Sequence, residues 1–169
     1  MTVGFQCASC GEWHDELPLD VGYAEPMYVA ELDDNERAEF VTTLRDFRVL
    51  RRDGKTHHFV RGVIEIPIIG MTDVFRYGVW ASLGDASFKS AREAYESDVA
   101  AGPFFGWIGN RIEGYSDTSS LKSQVHVRAV MRPRFELEPT DHPLAIEQRD
   151  GITLERVAAI VQRALHPSA

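Results

Sequence analysis

The sequence predicts a single α+β domain: one antiparallel β-sheet with helices mainly on one face, entered through an N-terminal cysteine-containing knuckle. Three patterns predict it. Apolar residues recur at every second position over 59–69, 74–83 and 121–137, the period of a half-buried strand. They recur at three- and four-residue intervals in stretches before, between and after these strands, the period of an amphipathic helix. The connection between the second and third strands is short, which permits a hairpin and favours antiparallel pairing over a crossover. Strands flanked by helices in this order form a sheet that the helices cover.

The elements follow in order. Residues 1–26 make the knuckle segment, cysteine- and turn-rich from Phe5 on, and residues 27–169 the body. Asp33 or Asp34 caps a helix at about 35–45, with Phe40, Val41 and Leu44 as its apolar stripe. A strand over 47–52 runs into the turn signal Asp53-Gly54. Over 59–69, Val60, Ile64, Ile66 and Ile68 face one way, Arg61 and Glu65 the other, and Pro67 calls for an edge or a bulge. The return strand 74–83 puts Phe75, Tyr77, Val79, Ala81 and Leu83 on one face and Arg76, Trp80 and Ser82 on the other. Ser87 caps a helix at about 88–100 that Gly102 and Pro103 end. The aromatic segment 104–109 reads as a short helix or turn plugging the core. Residues 121–137 read as one strand in which Val125, Val127, Ala129 and Met131 alternate with His126, Arg128, Val130 and Arg132. Thr153 caps a last helix whose stripe is Val157, Ile160, Val161, Ala164 and Leu165.

Composition narrows the function. A length of 169 residues fits one domain with a sizeable core. A net charge of -8 disfavours bulk nucleic acid and acidic membranes as partners, because neutralising phosphate needs a basic surface. No apolar run approaches the length of a membrane span, and residues 1–7 lack the basic and apolar regions of a signal peptide. The expectation is a cytoplasmic protein. In that compartment the two cysteines, Cys7 and Cys10, are a metal or redox element more readily than a structural disulfide.

Several segments occur in an order that carries a family resemblance. The first is Phe5-Gln6-Cys7-Ala8-Ser9-Cys10-Gly11-Glu12-Trp13-His14 with Leu17-Pro18. Phe59-Val60-Arg61-Gly62-Val63-Ile64-Glu65-Ile66-Pro67 and Gly78-Val79-Trp80-Ala81-Ser82-Leu83 follow. Phe105-Gly106-Trp107, Gly114-Tyr115, the run from Asp141 to Gln148 and Gly151-Ile152 complete the set. The chain resembles the bacterial domain-of-unknown-function family numbered 2199 over nearly its whole length. That resemblance implies membership and no activity. One departure stands out: the family pattern has a cysteine after an aspartate near the first strand, where this chain has Asp46-Phe47-Arg48. If that cysteine is a ligand in relatives, this chain lacks it, and Arg48 is placed to pair with a thiolate instead.

Two constellations can carry chemistry. Cys7-x-x-Cys10-x-x-x-His14 is the sharper: two thiolates two residues apart fold around one tetrahedral ion, and a nearby imidazole adds a third bond. Cys7, Cys10 and His14 are therefore candidate zinc ligands, with His57, His58, His142 or Asp15 open as the fourth. Idle thiols of a degraded site are the plainer account. The second is cationic. Arg61, Arg76, His126 and Arg128 share the sheet face of Trp80 if the strands align, and together these five are candidate contacts for a small anionic ligand. The plainer account pairs Arg61 with Glu65 and the rest with nearby acids. His142 reads as a turn histidine bonded to backbone. No nucleophile elbow, phosphate loop, dinucleotide fingerprint or zinc-protease motif occurs. The expected function is a non-catalytic binding or interaction domain with a small structural zinc site, its partner an unidentified protein or small anion. The alternative is an enzyme acting on a small anionic substrate at the arginine-bearing face. A third option, an acidic inhibitor masking a basic partner, rests on net charge alone.

Overall fold

A computed structural model describes residues 4–167; the first three and last two residues, which the sequence reading includes in the domain, lie outside it. The knuckle is a two-stranded antiparallel ribbon, β1 (Phe5–Gln6) and β2 (Trp13–His14). The body runs β3 (Asp20–Gly22), α1 (Met27–Ala30), α2 (Asp34–Phe40), β4 (Val41–Leu44), β5 (Phe47–Arg52), β6 (Lys55–Pro67) and β7 (Val74–Leu83). Then come α3 (Asp85–Glu96), β8 (Ala101–Ile108), β9 (Lys122–Arg128), β10 (Met131–Leu137), α4 (Pro143–Asp150) and α5 (Leu154–Leu165). No helix is long and apolar enough to cross a membrane among the described residues.

The α+β class holds, but the single antiparallel sheet does not. The main sheet has eight strands in the order β3-β7-β8-β9-β10-β6-β5-β4, and it is mixed. β3 lies parallel to β7, with Asp20 opposite Arg76 and Gly22 opposite Gly78. β10 lies parallel to β6, with Arg134 opposite Val63. Both parallel contacts join strands far apart in the chain, so no turn signal announces them. Because β6 also pairs with β7, the strands β6 to β10 close into a ring rather than presenting one open face. Helices pack around that ring: α3 on β6, β8 and β9, α4 on β6 and β10, and α5 on β3.

Inside the ring sits the main core. Val60, Ile64, Ile66, Phe75, Tyr77, Val79, Val125 and Phe135 meet Phe88 and Ala91 of α3, Leu144 of α4, and Val157 and Val161 of α5. Gly62 is required where β6 crosses β10: a Cβ there would lie 2.5 Å from Phe135 Cζ and 2.6 Å from the Pro133 carbonyl oxygen. A second, smaller cluster lies on the other face of β6 and β7, where Leu32, Leu50 and Phe59 enclose Trp80.

Four local expectations change. The helix expected at 35–45 stops at Phe40, because β-branched Val41, Thr42 and Thr43 extend into β4 against β5. Its start matches, with Asp33 and Glu36 in a reciprocal capping box. The helix expected at 88–100 begins earlier, at Asp85, behind Gly84 rather than Ser87. The aromatic segment 104–109 is not a helix or turn but belongs to β8, which pairs with both β7 and β9. Residues 121–137 are two strands, because Ala129 and Val130 make a tight turn between β9 and β10, with Val130 at φ +62°. Thr153 caps α5 as expected, its side chain accepting from the Arg156 N–H.

Candidate functional site

The knuckle builds a ligand cluster from local backbone geometry. Cys7 leaves β1, its N–H donating to the Glu12 carbonyl at 2.9 Å while its own carbonyl accepts from the Gly11 N–H at 2.8 Å. Gly11 at φ +72° takes the left-handed turn that brings the following chain back as β2 beside β1. β2 then carries His14 alongside, its ring stacked on Phe5 at 5.0 Å and its Nε2 3.6 Å from Cys10 Sγ. The fourth member comes from the other end of the chain. His166 caps the C-terminus of α5, and ligand atoms of Cys7, Cys10, His14 and His166 all lie within 4.8 Å of one another.

None of the residues offered for the fourth position fills it. His58 faces Asp85 at 3.6 Å, and His142 caps α4 by accepting from the Leu144 N–H. That turn role is the one the sequence indicated for His142. Arg48 does not pair with a thiolate either: its Nε and Nη2 donate to Glu25 at 2.8 and 2.9 Å, and its guanidinium lies over the ring of Trp80.

Cys7 is buried and Cys10 exposed. The Cys7 thiol is lowered to about 7, first because the Cys10 backbone N–H points at it. Burial opposes this, and the Ser9 N–H, the Cys10 thiol and the His166 charge reinforce it. Thiolates at neutral pH are what a metal needs. Two thiolates and two imidazoles make a complete tetrahedral donor set for zinc, with no position left over for a water or substrate.

The cationic face is partly brought together. Arg61, Arg76 and Arg128 line one cavity of about 400 Å³, together with Arg132, Asp20, Gly22 and Gly78. Arg132, which shares the parity of His126 and Arg128 in the sequence, comes from β10 because the tight turn folds 121–137 back on itself. His126 is not on that wall; its Nε2 stands 3.4 Å from Glu136 on the neighbouring strand. Trp80 is fully buried and lies beneath Arg61, whose guanidinium is 6.0 Å from the indole centroid. The segment from α1 to Leu32 covers Trp80, which strand parity alone left facing outward. Nor does Arg61 pair with Glu65. Glu65 takes Arg128 at 2.9 Å and Arg76 at 3.8 Å, while Arg61 Nε is buried without a hydrogen-bond partner.

A half-buried polar chain was missed altogether. Tyr77 and Tyr115 hydroxyls are 3.1 Å apart, Tyr115 donates to Glu147, and Glu147 accepts from Arg156 at 2.9 Å. It links the ring, the 114–118 turn and the two C-terminal helices. Its members lie on four separate elements, so no spacing in the chain could have grouped them.

Fold and site together define an α+β domain with a cluster of two cysteines and two histidines at its knuckle and an arginine-lined cavity. The chain belongs to the family described as an uncharacterized protein conserved in bacteria (DUF2199), whose model matches residues 6–152. Cys7, Cys10 and His14 fall inside that match and His166 beyond it. No curated protein and no solved structure matches the chain.

Proposed function

We propose that the protein is a non-catalytic cytoplasmic binding or interaction domain whose N-terminal knuckle is held by one structural zinc ion. The observation that carries the reading is the convergence of Cys7, Cys10, His14 and His166 within 4.8 Å. A closed set of four protein ligands is the signature of a structural site, since a catalytic zinc keeps one position for water. The test is metal content after purification without chelator, followed by titration of the stripped protein with zinc and with cobalt. One equivalent of zinc should bind and raise the melting temperature, and bound cobalt should give the strong visible absorption of tetrahedral sulfur coordination. Cys10→Ser and His166→Ala should each weaken both effects. A protein that is metal-free as purified, and that zinc neither binds nor stabilises, would rule the reading out.

A second reading, an enzyme acting on a small anionic substrate at the arginine-bearing face, draws on the cavity lined by Arg61, Arg76, Arg128 and Arg132. Among the described residues Asp20 is the one carboxylate on that wall, which suits binding better than acid–base chemistry. Turnover of any compound that binds there would decide for the enzyme.

A further inference from the structure

We propose that the cavity between β3, β6, β7 and the β9–β10 turn is an oxoanion site that takes a small molecule through a phosphate or carboxylate group. The proposal rests on the binding-domain reading and is independent of the zinc.

Charge is the first argument. A chain of net charge -8 places four guanidinium groups, Arg61, Arg76, Arg128 and Arg132, on one cavity of about 400 Å³. In so acidic a protein this concentration is not a by-product of basic composition. The nearby acids do not cancel it. Glu65 is shared between Arg128 and Arg76, and Asp20 is the one carboxylate on the wall among the described residues.

Unused hydrogen-bonding capacity is the second. Arg61 Nε is buried and donates to nothing among the described residues. Its neighbour Arg48, over the same indole ring, is fully engaged by Glu25 and by the carbonyls of Arg45 and Phe47. The contrast separates a structural arginine from one left with donors to offer. The Arg61 side chain is half-buried and its guanidinium enters no ion pair among the described residues, so its outer donors remain available to an oxygen anion. Trp80 beneath Arg61 and the Arg132 carbonyl, which accepts from Arg128 Nε at 2.9 Å, hold two of the guanidinium groups in place. Preorganised guanidinium forks match the oxygens of phosphate and carboxylate.

Shape is the third. Cross-strand register puts Gly22 opposite Gly78, on the face of β7 that carries Arg76 rather than the one that buries Tyr77. A Cβ on Gly22 would meet nothing within 4 Å. Two bare residues leave the floor open beneath the arginines, and the volume is that of a small-molecule pocket.

The experiment uses the full chain as purified, without added metal, at constant ionic strength. The probes are inorganic phosphate and malonate, read by thermal shift and calorimetry, with chloride as the control. At least one probe should bind and stabilise beyond chloride; which one does so tells a phosphate from a carboxylate ligand. Arg61→Gln should weaken that binding by about tenfold or more, the worth of a charged hydrogen bond. Gly22→Val, which fills the floor and leaves every charge in place, should weaken it comparably and covers the case in which Arg61→Gln fails to fold. Arg149→Gln, outside the cavity, should bind as wild type. If neither probe outperforms chloride, the proposal fails while the zinc measurements stand on their own. If a probe binds equally well to wild type and Gly22→Val, the anion sits elsewhere and this site is overturned.

Discussion

Asn110→Ala tests the joint that positions the arginine cavity. Asn110 is buried, its Oδ1 accepting from the Trp80 backbone N–H at 2.8 Å and its Nδ2 donating to the Glu25 carbonyl at 2.9 Å. One amide thus ties β7, at the tryptophan beneath Arg61, to the segment carrying the partner of Arg48. Alanine leaves the Trp80 N–H and the Glu25 carbonyl unpaired. Each orphaned buried polar group costs about 1 to 3 kcal/mol, and the Glu25 carbonyl, in a half-buried residue, recovers part of its loss from water, so the expected cost is about 3 kcal/mol. For a domain of this size that lowers the melting temperature by about 6 to 12 °C. The assay is equilibrium urea unfolding under saturating zinc, so that metal occupancy does not change between variants. Asn110→Asp should also destabilise, since it keeps the acceptor for Trp80 but sets a second acceptor against the Glu25 carbonyl. A loss below about 1 kcal/mol for Asn110→Ala, at an unchanged dependence on urea, would refute the bridging role.

Gly62→Ala forces a methyl group into the Phe135 ring and the Pro133 carbonyl, and urea unfolding should show a loss of about 1 to 3 kcal/mol or more; a neutral result would mean that β6 and β10 do not cross so closely. His58 lies half-buried against Phe88, and burial, the largest influence, holds its pKa below the ordinary 6.5 in spite of Asp85. The unfolded chain then binds the proton first, so stability present above pH 6.5 should fall away as the pH drops through the folded-state value. His58→Gln should flatten that decline below pH 6.5, and an identical slope in both proteins would exclude the histidine as its source.

What the sequence made legible follows the range of the interactions involved. Strands β6 and β7 appear in the alternation because one row of their side chains, from Val60 to Ile66 and from Phe75 to Ala81, enters the main core. The capping of α2 and α5 is readable because a cap is a contact between residues three apart. The β9–β10 turn was invisible because Ala129-Val130 contains none of the usual turn residues. α4 was overlooked although Pro143 at its first turn and Gly151 after its end are the expected punctuation. The mixed sheet could not be read at all, since the parallel β3–β7 and β10–β6 pairings join segments far apart in the chain. The site divides in the same way. Three of the four clustered ligands lie within one turn-rich segment and were found from spacing. His166 is brought to them by the docking of a helix, and spacing has no access to that. Strand parity fixes the face of each arginine within its own strand, but it could not show that another segment covers Trp80.

The meeting of residues 7 and 166 has a consequence for the unfolded chain. An ion held by both ends of the ligand set is a cross-link, and the loop it closes contains nearly the whole polypeptide. In the chain-entropy description, a link spanning about 100 residues restricts the denatured ensemble by about 4.7 kcal/mol, and the figure grows only slowly with length. The folded chain in any case brings residues 7 and 166 side by side. It should therefore tolerate being opened elsewhere: joining the two ends by a short linker and creating new ones at the exposed Asp53-Gly54 turn would keep every strand pairing of the ring intact.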